Sequence, residues 1–253
     1  MTKIAHISCV MIAKNAESTL PAVLDALQSF AEVVVYCNDS TDKTEEIAAS
    51  YDNVNLIKGE FKGFGPTKNL AASYAANDWI FSLDADEVVS SEFIKNLSQT
   101  ELQTDSLYSI LRTNFYKQQQ IRHCWADDEI IRIYNKKITA FTDKYVHEHI
   151  IQKNLQVKKI PGLIKHYPYP SIESFVDKAN TYSTLFAQNN AGKKSSSPAK
   201  AFFNGLFSFV KTYFFKQGFR DGYAGLVIAC SHMVTNFYKY IKLYELNEEL
   251  KRS

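Results

Sequence analysis

The sequence predicts an α/β fold in which a mostly parallel sheet is flanked by helices and followed by a helical extension. Three observations carry that prediction. Short apolar runs alternate with helical-period segments through the first hundred residues, the pattern of successive βα units. The turns after these runs gather polar and acidic residues, as expected where parallel strands end at a ligand crevice. Beyond Ser171 the periodicity becomes helical. A chain of 253 residues, 45% hydrophobic and 22% charged, is long enough to bury a substantial core.

Taken in order, residues 4–11 form a compact apolar run suited to a buried strand. Leu20, Val23, Leu24 and Leu27 then recur at helical spacing, with Ser18 as a candidate cap. Residues 33–36 make a second buried strand. Asp42 followed by Glu45 resembles a capping box opening a helix through Ile47 and Ala48. A third strand spans 54–58. Residues 59–66 read as a glycine-containing loop, and 66–76 as a helix with Pro66 in its first turn. The fourth strand, 79–83, runs directly into Asp84, Ala85 and Asp86. Crossover connections place the loops after Met11, Tyr36, Lys58 and Leu83 on one rim. Residues 38–42, Lys68 and residues 84–87 are therefore expected around one crevice.

Residues 107–114, 129–135 and 158–166 carry the β-branched and aromatic content of added strands. Ile172, Phe175, Val176, Ala179 and Phe186 trace one helical face, and 192–198 is a serine- and lysine-containing connector. The expected division is a catalytic domain over 1–170 and a helical extension over 171–253.

A net charge of +2, with no basic or acidic block, gives no sign of a nucleic-acid partner. The apolar run near the N-terminus ends at Lys14, Asn15 and Glu17, too early for a secretory signal. No segment reads as a spanning helix; the nearest, 223–240, carries Ser231, His232, Thr235 and Asn236. The four cysteines have no metal-ligand spacing and read as buried free thiols of a reducing cytoplasm.

Chemistry concentrates in three places. The first is the acidic turn at 84–87, where Asp84 and Asp86 close a strand and suit a hard divalent cation such as Mg2+ or Mn2+. Such an ion neutralises charge on a departing diphosphate. The second is Tyr-Val-His-Glu-His at 145–149. Here Glu148 suits a general base, although a surface strand of alternating polar residues would also read this way. The third is the glycine-containing stretch 59–69, where Lys68 in the opening turns of a helix suits phosphate. His166, at the end of an extended segment, is a structural histidine or a lone metal ligand.

Residues 10–17, the Ser-Thr-Asp-Lys-Thr run at 40–44, residues 65–69, the Asp-Ala-Asp-Glu turn and residues 146–148 together resemble the inverting family 2 glycosyltransferases of GT-A fold. More narrowly, the chain resembles the enzymes that add β-linked glucose to an inner-core heptose of lipopolysaccharide. The resemblance implies a divalent-cation cofactor, a nucleotide-sugar donor (UDP-glucose) and a lipid-linked saccharide acceptor met peripherally at the cytoplasmic face of the inner membrane. It puts Glu148 at the catalytic position, Asp84 near ribose and metal, Asp86 as main metal ligand, His166 as its completing ligand and Lys68 by the phosphates. One departure concerns the nucleobase: relatives carry Asp followed by a small residue and glycine after the second strand, where this chain has Cys37, Asn38 and Asp39. Asp39 is the candidate to take over that contact.

Two other functions compete. A sugar-nucleotide pyrophosphorylase carries a glycine-rich, arginine-containing loop after its first strand; Ala13-Lys14-Asn15-Ala16 disfavours it. A non-catalytic membrane-associated scaffold is disfavoured by acidic residues at each expected position. Transfer to another surface polysaccharide remains an alternative acceptor. The tail from Ala199 mixes phenylalanines and tyrosines with lysines, suiting either a membrane interface or packing on the catalytic domain or a second subunit.

Overall fold

The computed structural model describes residues 3–144 and 148–252. The chain divides into two compact units, Met1–Thr113 with Asp127–Tyr167, and Asn114–Ala126 with Pro168–Ser253.

The first unit opens with β1 (Ile7–Ala13), α1 (Leu20–Ala26), β2 (Val33–Cys37), α2 (Thr44–Ala49), β3 (Val54–Lys58), α3 (Phe64–Ser73) and β4 (Trp79–Ser82). These four strands are parallel, in the order β3-β2-β1-β4. Alternation along the strands splits the core in two. Cys9 and Met11 with Val33 and Val35 face α1 and α2, whereas Val10, Val34 and Ile80 face Ala71, Ala72 and Ala75 at α3. Both faces are apolar, which accounts for the near-continuous hydrophobic runs.

Beyond β4 the sheet changes direction. The strands β5 (Glu87–Val89), β6 (Ser106–Tyr116), β8 (Asp128–Asn135) and β9 (Gln156–Tyr169), with helix α4 (Ser91–Gln99), extend the order to β8-β6-β9-β5. β8 is antiparallel to β4 and β6, and β5 is antiparallel to β9. The mostly parallel sheet expected from sequence is thus a mixed one. No crossover helix separates β6 from β8, so that pair returns antiparallel. The whole is a GT-A-like α/β sheet flanked by helices.

Two expected caps are replaced. Thr19, not Ser18, precedes α1, and its hydroxyl donates to Ala85 O at 2.7 Å. At α2, Asp42 accepts from the Thr44 amide at 3.0 Å, while Glu45 turns away to Lys58. The loop after β1 and the Ser40–Thr44 run, two separate motifs in sequence, are zipped together: Thr41 N donates to Asn15 Oδ1 at 2.8 Å, Ala16 N to Thr44 Oγ1 at 2.7 Å, and Lys43 N to Glu17 Oε2 at 3.1 Å.

The second unit holds β7 (Gln119–Gln120), α5 (Ile172–Asn190), α6 (Pro198–Val210) and α7 (Gly222–Arg252), with a π-helical turn at Lys211–Phe215 and a 3-10 turn at Gly218–Asp221. A reciprocal Ser171–Ser174 capping box starts α5. Tyr116, Ile121, Cys124 and Phe175 pack with Ala224 and Ile228 in its core. The buried Asp221 carboxylate accepts the amides of Arg122, His123 and Cys124 at 2.9–3.2 Å, which ties the 114–126 segment to the start of α7. Cys9, Cys37 and Cys124 are buried free thiols as expected, but Cys230 is exposed because it lies on the outward stripe of α7.

Candidate active site

The site is built at the carboxyl end of β4. The chain leaves the sheet at Leu83, turns through Asp84–Asp86 and re-enters as β5. Glu87 fixes this turn: its amide donates to Asp84 O at 3.0 Å, and its Oε2 accepts from the Asp84 amide at 3.1 Å. Glu87 is fully buried and is paired with two guanidinium groups, Arg112 Nη1 at 3.2 Å and Arg132 Nη2. Arg112 in turn pairs with Asp128 at 2.7 Å. A buried carboxylate needs such partners because desolvation alone would disfavour its charge.

Arg132 also reaches Asp84 Oδ2 at 2.7 Å, and Lys68 Nζ takes Asp84 Oδ1 at 2.9 Å. Lys68 completes the chain by meeting Glu148 Oε1 at 3.0 Å. Asp84 and Glu148, 64 positions apart in sequence, are therefore bridged by one buried ammonium. Burial would raise the Asp84 carboxyl's pKa, but Arg132 and then Lys68 outweigh it and hold it well below the usual carboxylate range. Burial would likewise lower Lys68; Asp84 and Glu148 overcome it, so its ammonium is held charged more firmly than a free lysine.

Local sequence explains how Lys68 gets there. Gly63, with φ 99°, turns the chain into α3. Gly65 lets the helix start approach the 142–144 segment: its amide donates to Lys144 O at 3.1 Å, and a Cβ there would lie 1.9 Å from Thr142 O. Asn69 then clasps Phe141 with two hydrogen bonds, of 2.9 and 2.8 Å. The loop closes where Thr142 N donates to His149 O at 2.9 Å and Phe141 bridges Ile150. Glu148 is held just inside that closure. Tyr145, Val146 and His147, the first part of the motif, lie outside the described residues.

The β5–β9 ladder pairs Glu87 with His166, so Asp86 arrives beside the imidazole, with Nε2 to Oδ1 at 3.6 Å. Two donors on one octahedral Mg2+ or Mn2+ at ~2.1 Å would lie ~3 Å apart or more, so this carboxylate–imidazole pair fits a shared cation. Among the described residues no three His, Cys, Asp or Glu side chains are grouped so as to hold a metal ion. Asp39 stands exposed in the left-handed region (φ 52°) after β2, on the same strand-end rim but apart from the ion-pair cluster.

The sequence reading missed Arg132, Arg112 and the clamping role of Glu87. A signal was present: Arg132 interrupts the apolar run Ile130-Ile131-Arg132-Ile133-Tyr134, and a charge inside a buried strand needs a buried counter-charge.

A GT-A-like sheet with an acidic turn and a second carboxylate at its rim is a glycosyltransferase scaffold. Residues 8–159 match the model for glycosyl transferase family 2, so the chain belongs to that family. It is 30% identical, over 95% of its length and 87% of the relative's, to an uncharacterised glycosyltransferase of Rickettsia typhi. It is 23% identical to the lipopolysaccharide core biosynthesis glycosyltransferase LpsC of Rhizobium meliloti, over 94% and 92% of the two chains. Among solved structures it is similar to S. aureus TarS in complex with UDP-GlcNAc, at 12% identity, covering 97% and 91%, with a TM-score of 0.45.

Proposed function

We propose that this family 2 glycosyltransferase transfers glucose from UDP-glucose, with inversion, to a heptose hydroxyl of a lipid-linked lipopolysaccharide inner core. The observation that carries the reading is the Lys68 bridge, which draws the carboxylates of Asp84 and Glu148 to one ammonium. The similarity to LpsC supports the acceptor class, and the family resemblance supports uridine and glucose.

In this reading Glu148 accepts the proton of the acceptor hydroxyl as that oxygen attacks the anomeric carbon from the face opposite the diphosphate. Lys68, already charged and buried, turns one of its hydrogen bonds to a donor phosphate. Asp84, held in place by Arg132, orients the ribose and would add a ligand to the metal. Asp39 contacts the base. Asp86 and His166 would hold the divalent cation, which when bound offsets negative charge on the leaving diphosphate. A lipid-linked acceptor places the enzyme peripherally on the cytoplasmic face of the inner membrane.

The test incubates the protein with UDP-glucose, Mn2+ and a heptose-terminated core acceptor and follows the anomeric proton by NMR. A β-glucoside, formed from the α-linked donor, is expected. An α-linked product, or transfer only from a different nucleotide sugar, contradicts the assignment.

A further inference from the structure

The second unit carries a group of exposed rings that are not among the residues of the site described above. On α6, Ala201 and Gly205 are buried, and Gly205 lies against Met233 O and Phe237 of α7; Ser208 meets the Asn236 side chain at 2.9 Å. Phe202, Phe203 and Phe207 fall on the opposite face of the same helix and are exposed, Phe203 at 64% and Phe207 at 59%. The π-helical turn that follows presents Phe214 and Phe215, the latter 72% exposed, and Phe219 is exposed in the next turn. Large rings grouped in this way exceed what scattered surface apolars explain and mark an interaction surface.

Charge selects the partner. Residues 192–244 hold eight Lys and Arg against a single acid, Asp221, in a chain whose net charge is only +2. That one acid is buried and bound by three backbone amides. Lys200, Lys211, Lys216 and Arg220 are exposed and interleaved with the rings. A second copy docking here would bring like charge against like charge. Phosphate headgroups over hydrocarbon satisfy both features, because rings enter the interface while long basic side chains reach lipid phosphates. Among the described residues no helix is long and apolar enough to cross a membrane, so the contact is one of lying on the surface.

We infer that the outer face of α6, with the π-helical turn and the segment to Arg220, is an anionic-lipid docking surface. This gives a physical site to the membrane placement proposed above; its test reads vesicle binding alone, so either can fail without the other. The full chain is sedimented with vesicles of phosphatidylcholine containing roughly one third phosphatidylglycerol, and with pure phosphatidylcholine. Binding to the anionic vesicles is expected at least ~10-fold tighter, and released by added salt. Lys211→Gln/Lys216→Gln/Arg220→Gln should weaken it about 100-fold. Phe203→Ser/Phe207→Ser/Phe215→Ser should weaken it roughly ten-fold or more, each variant with wild-type melting. Equal binding to neutral vesicles, salt-insensitive binding by the wild-type chain, or undiminished binding by either folded variant overturns the inference. So does a dimer in solution that dissociates on ring substitution while vesicles are ignored.

Discussion

Replacing Arg132 by Met tests whether the acidic turn is held by buried charge. The guanidinium serves two carboxylates, Asp84 at 2.7 Å and the fully buried Glu87. Removing one partner of a buried ion pair typically costs 3–5 kcal/mol. Here the loss is smaller for two reasons. Glu87 keeps Arg112 at 3.2 Å and Asp84 keeps Lys68 at 2.9 Å. Arg132 Nε is also buried without an acceptor among the described residues, so its removal recovers about 1 kcal/mol. The expected destabilisation is therefore about 2–3 kcal/mol, a fall in melting temperature of roughly 5–10 °C for a chain of this size. A double-mutant cycle with Glu87→Gln isolates the contact: the double variant should be about 1.5–3 kcal/mol more stable than the single changes sum to. Thermal and urea melts of the four proteins give the answer. Additivity within about 0.5 kcal/mol would refute the clamp.

Gly65→Ala should destabilise by about 2–3 kcal/mol and abolish transfer, because a Cβ 1.9 Å from Thr142 O forces α3 away from the loop bearing Glu148; an active variant with wild-type melting contradicts this. Asp86→Asn should weaken Mn2+ binding, measured by calorimetry with UDP, by at least 10–100-fold; unchanged affinity removes Asp86 from the shell. His232 sets a pH dependence in the second unit. Burial, then Lys216 and Lys239, pull its imidazole from 6.5 down to about 4. The unfolded state thus holds the extra proton between those values, so stability is complete above pH 6.5 and falls as pH drops toward 4. That fall is at most about 1.4 kcal/mol per pH unit and roughly 3 kcal/mol in all. His232→Gln should flatten melting temperature over that window, and a variant as acid-sensitive as wild type sinks the assignment.

The parallel half of the fold was legible because both sheet faces are covered, leaving uninterrupted runs at 7–13, 33–37 and 79–82. The antiparallel half was legible as strands but not as an order, since pairing depends on connections that residue type does not encode. The three-residue β5 was invisible because Glu87, grouped with the acidic turn at the crevice, is a buried clamp that opens a strand. Likewise the 114–126 segment belongs with the helical unit because Asp221, a hundred positions on, binds its amides, a link no local pattern announces. Within the site, Lys68 stood out at a helix start, Asp84 at a strand end and Glu148 between two histidines. Arg132 did not, because it sits inside a strand where the hydrophobic pattern dominates.

The most direct measurement is the Glu148→Gln variant, assayed in parallel for transfer rate and for UDP affinity. The amide keeps the shape of the carboxylate and a hydrogen-bonding oxygen near Lys68 but gives up the proton-accepting charge. Turnover should fall about 10²–10⁴-fold, with the UDP Kd changed by no more than about three-fold, less than 1 kcal/mol. Turnover near that of the wild type would contradict the role given to Glu148.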